Sequence, residues 1–157
     1  MGMLDKLSRL VMGGGPQREA TAALQECYRL SVVRAQQLRQ HAAVAPQGYS
    51  GESLKDLAAD EERQTQRLRD ALRAAEQALP PVLTEAPATG ALNHWARLVQ
   101  DLQMHRDSAR RLRELAMRFA ETLPSTAELF DQLCRQEVTH CEHLRGLIAR
   151  ADPQALD

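Results

Sequence analysis

The chain has 157 residues, 43% of them hydrophobic and 26% charged, with 20 basic against 21 acidic side chains. That length fits one domain of the usual roughly 100–200 residues, and the composition excludes a disordered chain. Aromatic residues make up only 3%, β-branched residues are few, and Ala, Leu, Arg, Gln and Glu dominate, which excludes an all-β domain and predicts an all-α one.

Residues 1–12 predict a short amphipathic N-terminal helix with Leu4, Leu7 and Val11 on one side, followed by a flexible joint at Gly13–Gly15. Pro16 then stands where the first turn of a helix tolerates it, and helix A runs to about Val44, before Pro46. Helix B begins near Ser50–Ser53 and stops before Pro80–Pro81. A connector, PPVLTEAPATG, leads to Asn93 as N-cap of helix C, which runs to about Glu121. Ser125 with Glu128 reads as a capping box opening helix D, which ends before Pro153. The expected organisation is an N-terminal segment and linker over 1–15, a bundle over 16–152 made of hairpins 17–79 and 92–151, and a tail over 153–157.

Each helix carries a seam that steps by three and four residues, the inner stripe of a bundle with near-parallel axes. Helix A has Leu24, Tyr28, Ser31, Ala35, Leu38 and Ala42; helix B has Leu54, Leu57, Glu61, Gln64, Leu68, Ala71 and Ala75. Helix C has Leu98, Leu102, His105, Ala109, Leu112, Ala116 and Phe119; helix D has Phe130, Leu133, Glu137, His140, Leu144, Leu147 and Ala151. The chain also repeats. A shift of 74 lays Leu24, Ala35 and Leu38 on Leu98, Ala109 and Leu112, and a shift of 76 lays Leu57, Glu61 and Leu68 on Leu133, Glu137 and Leu144. Two related hairpins closing on each other form a four-helix bundle about a pseudo-twofold axis.

The middle of the seam is polar: Ser31, Glu61, Gln64, His105, Glu137 and His140. A carboxylate in an apolar core costs several kcal/mol unless it is paired or neutralised. Two arrangements satisfy the layer, a bound metal ion or a closed hydrogen-bond network.

The segments LAADEERQTQRL, HRDSARRLRELA and LCRQEVTHCEHL resemble the second, third and fourth helices of the ferritin-like superfamily, in its rubrerythrin and bacterioferritin branch. The resemblance covers about residues 20–151 and implies an antiparallel four-helix bundle with a di-iron centre, built from one Glu on each of two helices and Glu-x-x-His on the other two. Three of those six ligands are present, Glu61, Glu137 and His140; Ser31, Gln64 and His105 replace the others. Carried over position by position, one half of the centre is lost. The other keeps Glu61, His105, Glu137 and His140, a set suited to one Fe, Mn or Zn ion. Di-iron oxidase and iron-storage activity are not expected. The alternative is a metal-free relative of the ferritins acting as a structural or interaction module. An apolar-ligand binder is a third class, which a cavity larger than a water molecule would support.

Further expectations concern surroundings and partners. Near-neutral charge with no basic block argues against nucleic acid, and no run of 18 apolar residues argues against a membrane span. The opening residues lack the apolar core of a signal peptide. Cys27, Cys134 and Cys141 are an odd set without CxxC spacing, which suits a reducing, cytoplasmic compartment. Tyr28 and the cysteines read as core residues, and His41 and His94 as helix-end residues without a role. A homo-oligomer through helix faces is expected, with a possible protein partner at residues 1–12.

Overall fold

The computed structural model describes residues 14–82 and 92–151. These residues form four helices: α1, Gly14–Ala43; α2, Tyr49–Ala74; α3, His94–Phe119; and α4, Pro124–Arg150. The expected N-terminal helix and the 153–157 tail lie outside the described residues.

The helix ends follow local chemistry. Gly14 and Gly15, expected in a flexible joint, are already helical, and Pro16 falls in the first turn, where its missing N–H has no intrahelical role. α2 closes when the Gln77 N–H reaches the Leu72 carbonyl at 2.9 Å and the Glu76 N–H reaches Arg73 at 2.9 Å. That ending places Glu76 in the left-handed region at φ 55°. Asn93 caps α3, its side chain accepting from the Ala96 N–H at 2.9 Å. The capping box expected at Ser125 and Glu128 does not form. α4 starts two residues earlier, with Pro124 in its first turn and no side-chain cap at Leu123. Proline's preset φ and missing N–H serve the start of a helix without a hydroxyl cap.

α1 packs on α2 and α3 on α4 as hairpins; laterally, α1 meets α3 and α2 meets α4. An up-and-down bundle would instead pair α2 with α3. Every neighbouring pair is antiparallel: Arg118 bonds Glu19 and Gln37 bonds Asp101 between α3 and α1, and between α2 and α4 Asp60 lies beside His140 while Arg67 bonds Gln136. Val82 packs against the apolar cluster that holds Ala20 and Phe119, at one end of the bundle. At the other end Arg97 donates to the Val44 carbonyl. Residue 82 thus lies at one end of the bundle and Asn93 at the other, and the eleven steps between them can reach about 36–40 Å fully extended.

The seams are interior as expected, and the core falls into two apolar blocks. One holds Leu24, Tyr28, Leu68, Leu112, Phe119 and Phe130. The other holds Leu38, Leu54, Leu57, Leu98, Leu144 and Leu147. The polar seam residues lie between the blocks. No described helix is long and apolar enough to cross a membrane.

Candidate metal centre

Ser31, Glu61 and Glu137 have no measurable exposure; His105 and Gln64 are 1% exposed and His140 4%. Periodicity brings these groups inward, and the antiparallel hairpins bring them level. Glu61 from α2 and His105, Glu137 and His140 from the second hairpin converge, each offering a ligand atom within 4.8 Å of the others. His105 Nδ1 lies 2.7 Å from Glu137 Oε2. Glu61 Oε1 lies 3.7 Å from the Nδ1 atoms of both His105 and His140. The two imidazoles meet edge to face, their centroids 5.2 Å apart.

A residue that sequence reasoning passed over enters this layer. Arg34, one turn beyond Ser31 on α1, is 6% exposed. Its Nε donates to Glu61 Oε2 at 3.3 Å, and its terminal nitrogen lies 3.5 Å from Glu137 Oε1. Ser31 donates to the same Glu61 oxygen at 3.0 Å and stands 2.7 Å from the Thr65 hydroxyl. Arg34 thus fills the half of the layer where Ser31 and Gln64 stand. The available signal was physical: a buried Glu61 with no imidazole on its own helix needs a cation within one turn of the seam.

Charge in the layer follows from these contacts. Burial works against the Arg34 charge, but Glu61 and Glu137 more than offset it and raise its pKa. Burial would raise Glu61 as well, yet Arg34 and the neighbouring hydrogen bonds hold it well below the usual carboxylate range. Burial, aided by the Glu61 charge and opposed by Arg34, pushes the Glu137 carboxyl up to about 8. Burial pulls the His105 imidazole down to about 4, with Glu61 opposing and Arg34 reinforcing. Near neutral pH the metal-free layer is one Arg34–Glu61 ion pair beside neutral Glu137 and His105.

The donor set also fits an ion. Glu61 Oε1, Glu137 Oε1 and His140 Nδ1 are buried without a hydrogen-bond partner. His140 Nε2 is 3.5 Å from Asp60 Oδ2, which favours the hydrogen on that nitrogen and leaves the Nδ1 lone pair open. Four N and O ligands held tetrahedrally at about 2.0–2.2 Å from one ion are separated by about 3.3–3.6 Å. The four ligand atoms here lie within 4.8 Å of one another, so an ion would draw them about 1 Å closer.

A second buried network was not anticipated. Asp101, one turn before His105, accepts from Gln37 Nε2 at 2.7 Å and pairs with His41 Nδ1 at 2.7 Å. His41, expected to be a helix-end residue without a role, is fully buried. His94 is 7% exposed and interior as well. The cysteines are unpaired and buried, as read. Cys134 donates to the Ala109 carbonyl at 3.3 Å, and burial pushes the Cys27 thiol up to about 11.

The helix order and pairing define a ferritin-like four-helix bundle, and three of its helices bring together a buried Glu and His group able to hold a metal ion. Comparison with solved structures agrees on the fold. Bacterioferritin BfrA from M. tuberculosis superposes with a TM-score of 0.76 at 15% identity, over 84% of each chain. A mycobacterial bacterioferritin gives the same values. A dodecameric thioferritin, the bacterioferritin-related protein of Bacteroides fragilis, gives a TM-score of 0.74 at 14% identity, over 93% of this chain and 94% of that one. No protein-family model and no curated protein matches the sequence.

Proposed function

We propose that the protein holds a single divalent metal ion on Glu61, His105, Glu137 and His140. The observation that carries this reading is the convergence of four buried ligand atoms, with Glu61 Oε1 and His140 Nδ1 lacking a hydrogen-bond partner. Fe, Mn and Zn suit the two-carboxylate, two-imidazole set. Bound there, such an ion supplies Lewis-acid chemistry, and Fe or Mn adds one-electron redox chemistry. Arg34, Ser31 and Gln64 leave the other half of the layer without ligands, so neither di-iron oxidase nor iron-storage activity belongs to this reading.

The test is the metal content of protein purified without chelator, together with thermal shifts on adding Fe, Mn or Zn. One equivalent per chain, lost in His140→Ala, is expected. Two equivalents would overturn the single-ion reading. No stoichiometric metal and no shift would favour a second reading, a metal-free structural or interaction module. That reading draws on the Arg34–Glu61 pair, which neutralises the layer without an ion.

The same proposal includes a homo-oligomer assembled through helix faces and a reducing, cytoplasmic setting. Exposed apolar side chains such as Leu30, Val99 and Met117 support the first, and the unpaired cysteines support the second. Light scattering and cell fractionation check them.

A further inference from the structure

Beside the candidate metal centre a cavity of about 290 Å³ enters the bundle between α1 and α3. Its mouth is framed by Leu30, Asp107 and Arg111, and its depth by Leu68, Leu112 and Leu133. The three deep leucines are all buried, at 4% exposure or less, so the inner walls are apolar. Two polar side chains share that wall. Arg34 is already engaged by Glu61 and Glu137. Gln64 is 1% exposed, and its Nε2 has no hydrogen-bond partner.

A buried amide donor without an acceptor leaves its desolvation cost uncompensated, so a group that accepts from it gains over a shape-matched hydrocarbon. The volume is roughly twice the 150 Å³ of an apolar cavity that takes up benzene, which allows about ten non-hydrogen atoms. The head group's charge is also constrained. Arg34 already faces two carboxyl groups, and an anionic ligand would bring a third to the same guanidinium in an apolar surround. A cationic ligand would oppose Arg34 directly.

We propose that this cavity binds an uncharged, mainly apolar small molecule of about ten non-hydrogen atoms, whose carbonyl-type oxygen accepts from Gln64 beside Arg34. The site is independent of metal binding. It gives the lost half of the polar layer a use of its own, because Gln64 stands where the repeat places His140 in the other hairpin.

Three isosteric probes separate the contributions: acetophenone (neutral acceptor), cumene (hydrocarbon) and benzoate (anion). Ligand-observed NMR and calorimetry on the full chain read their affinities. Acetophenone is expected to bind at least about fivefold tighter than cumene or benzoate, consistent with one recovered hydrogen bond. Gln64→Leu should bring acetophenone and cumene to equal affinity while cumene still binds. Leu30→Trp, at a half-exposed mouth position that leaves the core intact, should weaken all three at least tenfold. Circular dichroism confirms that each variant is folded. Tightest binding of benzoate, an acetophenone preference unchanged in Gln64→Leu, or no binding of any probe would each overturn the proposal.

Discussion

The two hairpins present equivalent positions to the polar layer and fill them differently. In the second hairpin His105 and His140 stand at those positions, and a nitrogen of each lies 3.7 Å from Glu61 Oε1. In the first hairpin the same positions hold Ser31 and Gln64, and Arg34 reaches in from the next turn of α1 to meet both carboxyl groups. Both halves answer the same electrostatic demand, positive charge beside buried Glu61 and Glu137. One answers it with a covalently attached guanidinium, and the other leaves neutral donors that an exogenous ion can use. The half that looks eroded by residue identity thus carries its own positive charge.

Several substitutions break or sharpen that contrast. The largest effect belongs to Glu61→Leu, which takes from buried Arg34 its ionised partner and leaves it Glu137 alone. A loss of about 3–5 kcal/mol is expected by denaturant unfolding, and Arg34→Met combined with it should restore most of that loss. Arg34→Met alone removes the resident cation, so divalent-metal affinity should rise about tenfold or more by competition titration, because like charges no longer share the two carboxylates.

A smaller effect appears with pH in metal-free protein. Glu137, raised to about 8, binds its proton more tightly folded than unfolded, so stability falls as pH rises from the unfolded value toward 8. His105, lowered to about 4, acts in reverse, and its contribution is lost as pH falls below about 6.5 toward 4. The two oppose each other below about pH 6.5, which leaves a net decline of about 1–2 kcal/mol between pH 6.5 and 8. Glu137→Gln should flatten it. The smallest effect is Ser31→Ala, about 1 kcal/mol by thermal unfolding with metal affinity unchanged, whereas His105→Ala should abolish stoichiometric metal.

The fold was legible because steps of three and four recur in every helix and leave few other ways to bury Leu24, Leu68, Leu98 or Leu144. The polar layer was legible for a related reason: Glu61 and Glu137 stand at positions where only Leu or Ala would otherwise be cheap. Arg34 and Asp101 were harder to see. Each lies on the flank of its seam, and Arg is common on the exposed faces of these helices, so Arg34 carried no contrast against its background. His41 was passed over because closeness to a helix end suggested solvent; in fact Arg97 and Asp101 from α3 close over that end of α1. The start of α4 was misread because Ser125 and Glu128 have capping-box spacing, while Pro124 offers an earlier start.

The distribution of ligand atoms over the two hairpins has a mechanical consequence. Three of the four sit on the second hairpin, and only Glu61 comes from the first, across the narrower lateral seam of the bundle. An ion seated there would rivet the hairpins together, and prising them apart would release it. Resistance to pulling the hairpins apart and the lifetime of the bound ion should therefore rise and fall as one quantity.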